Sequence, residues 1–299
     1  MYFREKYYYS MIAIVSYVSI GSYDSNTVDE DKILSSILTE LKMQHEIVPW
    51  SDKQVDWSKY ETLLIKSTWD YFDYYPEFLN WINHVKKLNI KVLNNLDTIL
   101  WNSTKGYLAE IKEKGFPVIS GFTLKKGTKI SFDEIHKSLG TGDWVVKPMV
   151  SGGAKNTMKI PSSQWDKFEG KIQQLAQDED FLIQPYVKEV AEVGEYSLLF
   201  FNGEFSHAVL KTPASGDFRV QHYFGGAIKS ITPSGNMRKA AKTLVDQFAS
   251  DSLYARVDGV EINGAFYLME LELIEPYLFL DSNPSAIPNY KKALIQRLG

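Results

Sequence analysis

Residues 256–276 read Arg256-Val257-Asp258-Gly259-Val260-Glu261-Ile262-Asn263-Gly264-Ala265-Phe266-Tyr267-Leu268-Met269-Glu270-Leu271-Glu272-Leu273-Ile274-Glu275-Pro276. The runs 255–260 and 266–272, with Asn263-Gly264 between them, are expected to form two strands. Glu270 and Glu272 stand two residues apart, so they face the same side of their strand. Asp258 closes the neighbouring strand. Three carboxylates among Leu, Met and Ile repel one another unless something neutralises them. A hard cation does so: Mg²⁺ takes a few carboxylates and completes its shell with phosphate oxygens. A structural ion-pair network served by Arg256 and Lys211 is the other reading of the same residues.

The strand-rich pattern continues upstream, and residues 188–299 are expected to form one unit. Ser197–Phe201 and Phe205–Leu210 flank Asn202-Gly203, a hairpin signal. A helix is expected over Met237–Ser250. Between them lies Asp217-Phe218-Arg219-Val220-Gln221-His222-Tyr223-Phe224-Gly225-Gly226. Arg219 suits a transferring phosphoryl group. His222 is a candidate base, although a lone His more often serves structure.

Residues 102–187 make a second unit. Ser103–Lys114 is expected to be a helix ended by Gly115, with Pro117 beyond it. Trp144-Val145-Val146-Lys147 is an apolar strand closing on a Lys, whose ammonium at the sheet end suits phosphate oxygens. Taken alone, a snorkelling Lys is the blander reading. In Ser151-Gly152-Gly153-Ala154-Lys155-Asn156-Thr157, small residues let backbone N–H groups approach an anion. A strand near Met158, a helix through Trp165 and Leu175 and the strand Phe181-Leu182-Ile183 follow. They lead into Gln184-Pro185-Tyr186-Val187, an extended segment suited to an adenine edge. Glu192 and Glu195 come next, where a carboxylate can hold ribose hydroxyls or sit in a solvated turn.

Residues 11–101 alternate strand and helix. Ile12–Val15, Thr62–Ile65 and Lys91–Leu93 are strand-like. Ile33, Leu34, Ile37, Leu38 and Leu41 recur at helical spacing, and a second helix starts at Pro76 with Phe78, Leu79, Ile82 and Val85 on its buried face. Such alternation implies a parallel sheet covered on both faces. Ligands of open α/β sheets sit beyond the carboxyl ends of strands. This makes Trp69, Asp70 and Tyr71 candidates for a substrate site, with Trp69 as a wall and Asp70 paired to an ammonium. Trp69 capping the core, with Asp70 opening a turn, is the alternative.

The 299 residues suffice for two or three subdomains. Net charge is -4 and no long Lys/Arg block occurs, so nucleic acid is not an expected partner. The chain has no Cys, which excludes disulfides, thiolate nucleophiles and Cys-based zinc sites. Arg4 and Lys6 before Met11-Ile12-Ala13-Ile14-Val15 loosely imitate a signal peptide, but the run is short and is read as a first strand. Met11 is itself a candidate start. No stretch approaches the ~20 apolar residues of a membrane helix. The dinucleotide, P-loop, zincin and nucleophile-elbow patterns are all missing.

The ordered set of Lys105, Val146-Lys147-Pro148, Ser151–Thr157, Gln184-Pro185-Tyr186-Val187, Phe218-Arg219, Asp258 and Glu270-x-Glu272 resembles an ATP-grasp ligase from Met11 onward. Ser67-Thr68-Trp69-Asp70-Tyr71, Leu100-Trp101-Asn102-Ser103-Thr104-Lys105 and Met269–Pro276 look like the branch containing the cycloserine-forming O-ureido-serine cyclo-ligase. Glu272 stands where many glutathione-synthetase-like relatives carry Asn, and it agrees with that branch. The resemblance implies three α/β subdomains: a parallel-sheet domain at 11–101 and a two-lobed ATP-binding module at 102–187 and 188–299. It implies ATP between the lobes, with Lys105, Lys147 and the Ser151, Gly152 and Gly153 loop on phosphates. Gln184, Tyr186 and Val187 would lie at adenine, Glu192 at ribose and Arg219 at the γ-phosphate. Asp258, Glu270 and Glu272 would hold Mg²⁺. It implies a cytoplasmic enzyme, with a homodimer as an open option. The enzyme would join a small carboxylate to an amine, or cyclise one molecule, through an acyl phosphate. Ligation of an amino acid to a peptide or protein, and a nucleotide-binding module without catalysis, are the alternatives.

Overall fold

A computed structural model describes residues 11–18, 29–214, 219–220 and 225–299. The first sheet is built from β1 (Met11–Ser16), β2 (Gln44–Pro49), β3 (Thr62–Ser67) and β4 (Lys91–Leu93). All its pairings are parallel, in the order β2-β1-β3-β4. Helices α1 (Glu30–Glu40) and α2 (Tyr75–Leu88) make the crossovers. Asp29 caps α1 by accepting the Lys32 N–H, and Leu34, Ile37 and Leu38 form its buried stripe. Asn89, at φ 54, ends α2. Strand β3 is buried along its whole length because both faces are covered.

Helices α3 (Leu96–Asn102) and α4 (Tyr107–Glu113) follow. The single helix expected over Ser103–Lys114 is thus shorter and starts later. Residues 103–106 turn instead, because the Lys105 N–H bonds Met149 O at 2.9 Å and its ammonium reaches across to Glu270. A four-stranded antiparallel sheet comes next, from β5 (Phe122–Leu124), β6 (Trp144–Pro148), β7 (Met158–Ile160) and β8 (Phe181–Pro185), ordered β5-β8-β6-β7. Helices α5 (Phe132–Leu139) and α6 (Trp165–Leu175) cover it through Ile135, Trp165 and Ile172.

After α7 (Lys188–Glu192), β9 (Glu195–Phe201), β10 (Glu204–Thr212), β11 (Ala227–Ile231), β12 (Tyr254–Ile262) and β13 (Ala265–Glu272) form a second antiparallel sheet, ordered β11-β10-β9-β12-β13. Asn202-Gly203 and Asn263-Gly264 turn its hairpins with positive φ at every position, the geometry that makes this dipeptide a hairpin signal. Helix α8 (Gly235–Phe248) packs on this sheet, and α9 (Ala286–Leu298) closes the chain. Among the described residues no helix is long and apolar enough to cross a membrane.

Candidate active site

A cavity of about 680 Å³ is lined by residues of both antiparallel sheets and of the turn that follows β3. Lys147, on β6, reaches it from the middle sheet and makes no ion pair or hydrogen bond among the described residues. Burial lowers its pKa. Lys105 comes from the turn between α3 and α4; its Nζ donates to Ser151 O at 3.0 Å and pairs with Glu270 at 2.8 Å. Ser151, Gly152, Gly153, Ala154 and Thr157, in the loop between β6 and β7, line the cavity beside them. That loop rests on the first domain. A Cβ on Gly152 would come within 2.5 Å of the Phe72 ring, and Lys155 pairs with Asp73.

An apolar compartment adjoins this cationic end. Ile119, Val145, Tyr186, Val187, Val190 and Met269 line it. Gln184 lines it too, but its amide donates to Ile119 O at 2.7 Å, fixing the wall of the slot.

The opposite wall carries the acids. Strands β12 and β13 pair Arg256 with Glu272 and Asp258 with Glu270, so all four side chains share one face. Burial would raise the Asp258 carboxyl, but Arg256 and Lys211 overcome it and hold the group at about 2. Ser197 also donates to it, at 2.6 Å. Glu270 is held down by Lys105 and Lys147 against its own burial. Glu272 pairs with Arg256, yet burial, with Asp258 and Glu270 nearby, pushes it up to about 7. Glu275 is pushed up to about 8, first by burial and then by Glu272.

Among the described residues no three of these groups converge as a preformed metal cluster. Each of Asp258, Glu270 and Glu272 is instead held by Arg256, Lys211 or Lys105. The donor chemistry nonetheless fits a hard divalent cation. The carboxylate oxygens of Asp258, Glu270 and Glu272 share the face of one strand pair, and hard oxygen donors of this kind suit such an ion.

Most residues singled out from the sequence meet in this cavity: Trp69, Tyr71, Lys105, Lys147, Ser151, Gly152, Gly153, Gln184, Tyr186, Val187, Arg219, Asp258, Glu270 and Glu272. Two do not line it. Asp70 turns away, its carboxylate accepting the Trp50 Nε1–H at 2.6 Å inside the first domain. Glu192 sits exposed on α7, 3.9 Å from Lys188. Glu195 lines the cavity instead and pairs with Lys211 at 2.6 Å. Phe218 and His222 lie outside the described residues. Glu275, Tyr277, Phe279 and Asp281 also line the cavity and were not singled out. Glu275 falls past the end of β13, where strand periodicity no longer says which way a side chain points.

Comparison with known proteins bears on this geometry. Residues 12–94 match the family profile described as D-cycloserine synthetase DcsG, N-terminal domain. Residues 114–280, more than half of the chain, match prokaryotic glutathione synthetase, ATP-grasp domain. The cycloserine biosynthesis protein DcsG of Streptomyces lavendulae is 27% identical over 274 residues, covering 85% of this chain and 88% of that protein. The crystal structure of D-cycloserine synthetase DcsG superposes with a TM-score of 0.85 at 25% identity, covering 97% of this chain and 100% of that one. D-alanine–D-alanine ligase from Bacillus anthracis, complexed with ATP, matches at a TM-score of 0.64 and 16% identity over 96% of each chain, which speaks to the fold.

Proposed function

From the premise that this chain belongs to the ATP-grasp ligases and forms carbon–nitrogen bonds with ATP, we propose that it acts on a small amino-acid-like carboxylate of the O-ureido-serine kind. The reaction runs in two steps. A carboxylate oxygen attacks the γ-phosphorus of ATP, forming an acyl phosphate as ADP leaves. An amine nitrogen then attacks the acyl carbon, its surplus proton is lost, and inorganic phosphate leaves. When the amine belongs to the same molecule, the product is a ring.

The observation that carries this reading is one cavity joining a cationic end, an apolar slot and an acidic strand pair to the first domain's Trp69 and Tyr71. Lys147 brings an unpaired ammonium to the phosphates, and Lys105 a second one that Glu270 can hand over. Arg219 serves the transferring phosphoryl group. Tyr186 and Val187 flank adenine. Glu192 is too exposed on α7 for the ribose role, and Glu195 is the acid better placed for it. Mg²⁺ would be held by Asp258, Glu270 and Glu272, where it would offset the charge of the phosphates. Residues of this chain otherwise supply position and charge, with the Ser151–Thr157 loop excluding water. The cavity volume falls in the range of small-molecule sites.

The test is ADP release across a panel of amino-acid carboxylates including O-ureido-serine, with the product identified by mass spectrometry. ADP formation with a cyclised or condensed product supports the reading. No ADP with any member, or ADP without a new C–N bond, defeats it.

A further inference from the structure

Residues 274–280 have their backbone held almost continuously by side chains. Tyr254 Oη donates to Ile274 O at 2.7 Å, Trp69 Nε1 to Glu275 O at 3.0 Å and Lys66 Nζ to Pro276 O at 3.2 Å. Arg256 Nη1 donates to Tyr277 O at 3.1 Å. His207 Nε2 lies 2.9 Å from Leu278 O, and a carbonyl only accepts, so that nitrogen carries the proton. The N–H groups of Leu278 and Leu280 donate to the Glu30 carboxylate at 2.9 and 3.1 Å. Glu30 is itself paired with Lys66 at 2.7 Å, both fully buried. A loop fixed in this way presents its side chains with little freedom, and Glu275 is the acid it carries into the cavity wall.

The remaining acids of the cavity are already engaged. Asp258 is held by Arg256 and Lys211, Glu272 by Arg256, Glu270 by Lys105 and Glu195 by Lys211. Asp281 lines the cavity but is exposed. The Glu275 carboxylate is half-buried and makes no hydrogen bond or ion pair among the described residues. A half-buried carboxylate with no ion-pair partner among the described residues is a receptor for a cation that arrives with the ligand and draws it into its charged form. Trp69, which fixes the Glu275 carbonyl, lines the same cavity.

We infer that Glu275 receives the α-ammonium of the substrate, the role that the sequence pattern had assigned to Asp70. The inference rests on the proposed amino-acid substrate and makes it narrower: the substrate enters with a free, protonated amine beside its reacting carboxylate. Trp69 and the Glu30–Lys66 pair are then positioning residues, acting through the backbone of 274–280.

The test is calorimetric titration of O-ureido-serine and its Nα-acetyl derivative, which lacks the ammonium. Each is titrated into the full chain loaded with Mg²⁺ and a non-hydrolysable ATP analogue, with ADP release assayed alongside. A charge-assisted contact of about 1.5–3 kcal/mol corresponds to a preference for the free amine of roughly 10- to 150-fold. Glu275→Gln is expected to lose most of that preference, Glu275→Asp to regain part, and Asp281→Asn to keep it. Affinity for the ATP analogue stays unchanged in all three. Retained discrimination in Glu275→Gln overturns the inference, as does an equal loss for both compounds. A raised Mg²⁺ requirement also overturns it, because Glu275 would then be a metal ligand. Glu275-dependent binding without ADP release keeps the inference and defeats the proposed reaction. ADP release with undiminished binding to Glu275→Gln does the reverse.

Discussion

Replacing Lys147 by Met separates a phosphate ligand from a structural lysine. The side chain comes from β6, where Val146 and Pro148 on either side are buried, and Met preserves the packing of the stem. Its ammonium makes no hydrogen bond or ion pair among the described residues, and the cost of its burial outweighs its attraction to Glu270, so its loss removes a net unfavourable term from the empty protein. Melting is therefore expected at or above the wild-type temperature. With nucleotide present the sign reverses. A charge-assisted contact contributes about 1.5–3 kcal/mol, so Kd for an ATP analogue should rise roughly 10- to 150-fold. Lys105→Met makes the contrast. Its loss strands Glu270, whose side chain is 29% exposed, and frees Ser151 O, so the empty protein should lose about 1–3 kcal/mol as well as affinity. Calorimetry and thermal denaturation of both variants read the two signs. Wild-type affinity in Lys147→Met, or a destabilised empty protein with unchanged affinity, would refute the reasoning.

Glu270→Gln and Asp258→Asn should keep the fold and abolish turnover; a normal rate at ordinary Mg²⁺ in either would remove the metal role. Asp70→Ala should leave both KM values unchanged but cost about 1–3 kcal/mol, because Trp50 Nε1 loses its buried acceptor; a raised KM for the carboxylate substrate would return Asp70 to the site. Burial holds the His207 pKa below 6.5, so the native state keeps it neutral while the unfolded chain takes up a proton. That contribution to stability is full above the unfolded value and is lost as pH falls through the folded one, at up to about 1.4 kcal/mol per pH unit. Denaturant midpoints across this window should fall less steeply in His207→Gln, and an identical slope would contradict the assignment.

How far the sequence could be read follows from where periodicity holds. Alternation along β13 placed Glu270 and Glu272 on one face, and the register with β12 adds Asp258 to it. The two Asn-Gly turns were readable because their backbone demands φ > 0. Past Glu272 the strand ends, so nothing in the local pattern said that Glu275 faces the cavity. Asp70 was misplaced for a related reason. It lies in a turn, and its partner Trp50 is twenty residues away in sequence. The break between α3 and α4 was hidden too, since Ser103-Thr104-Lys105-Gly106 turns only because Met149 and Glu270 draw Lys105 inward. Contacts that cross domains, such as Glu30 to Leu278 and Leu280, leave no local trace in the chain.

Oxygen transfer tests the central claim most directly. The substrate carboxylate is labelled with ¹⁸O and the released phosphate is analysed by mass spectrometry after turnover with MgATP. An acyl phosphate requires one carboxylate oxygen to leave on inorganic phosphate in each turnover, with ADP as the nucleotide product. Label found in AMP would instead mean attack at the α-phosphorus, and unlabelled phosphate with ADP would mean simple hydrolysis; either result contradicts the account.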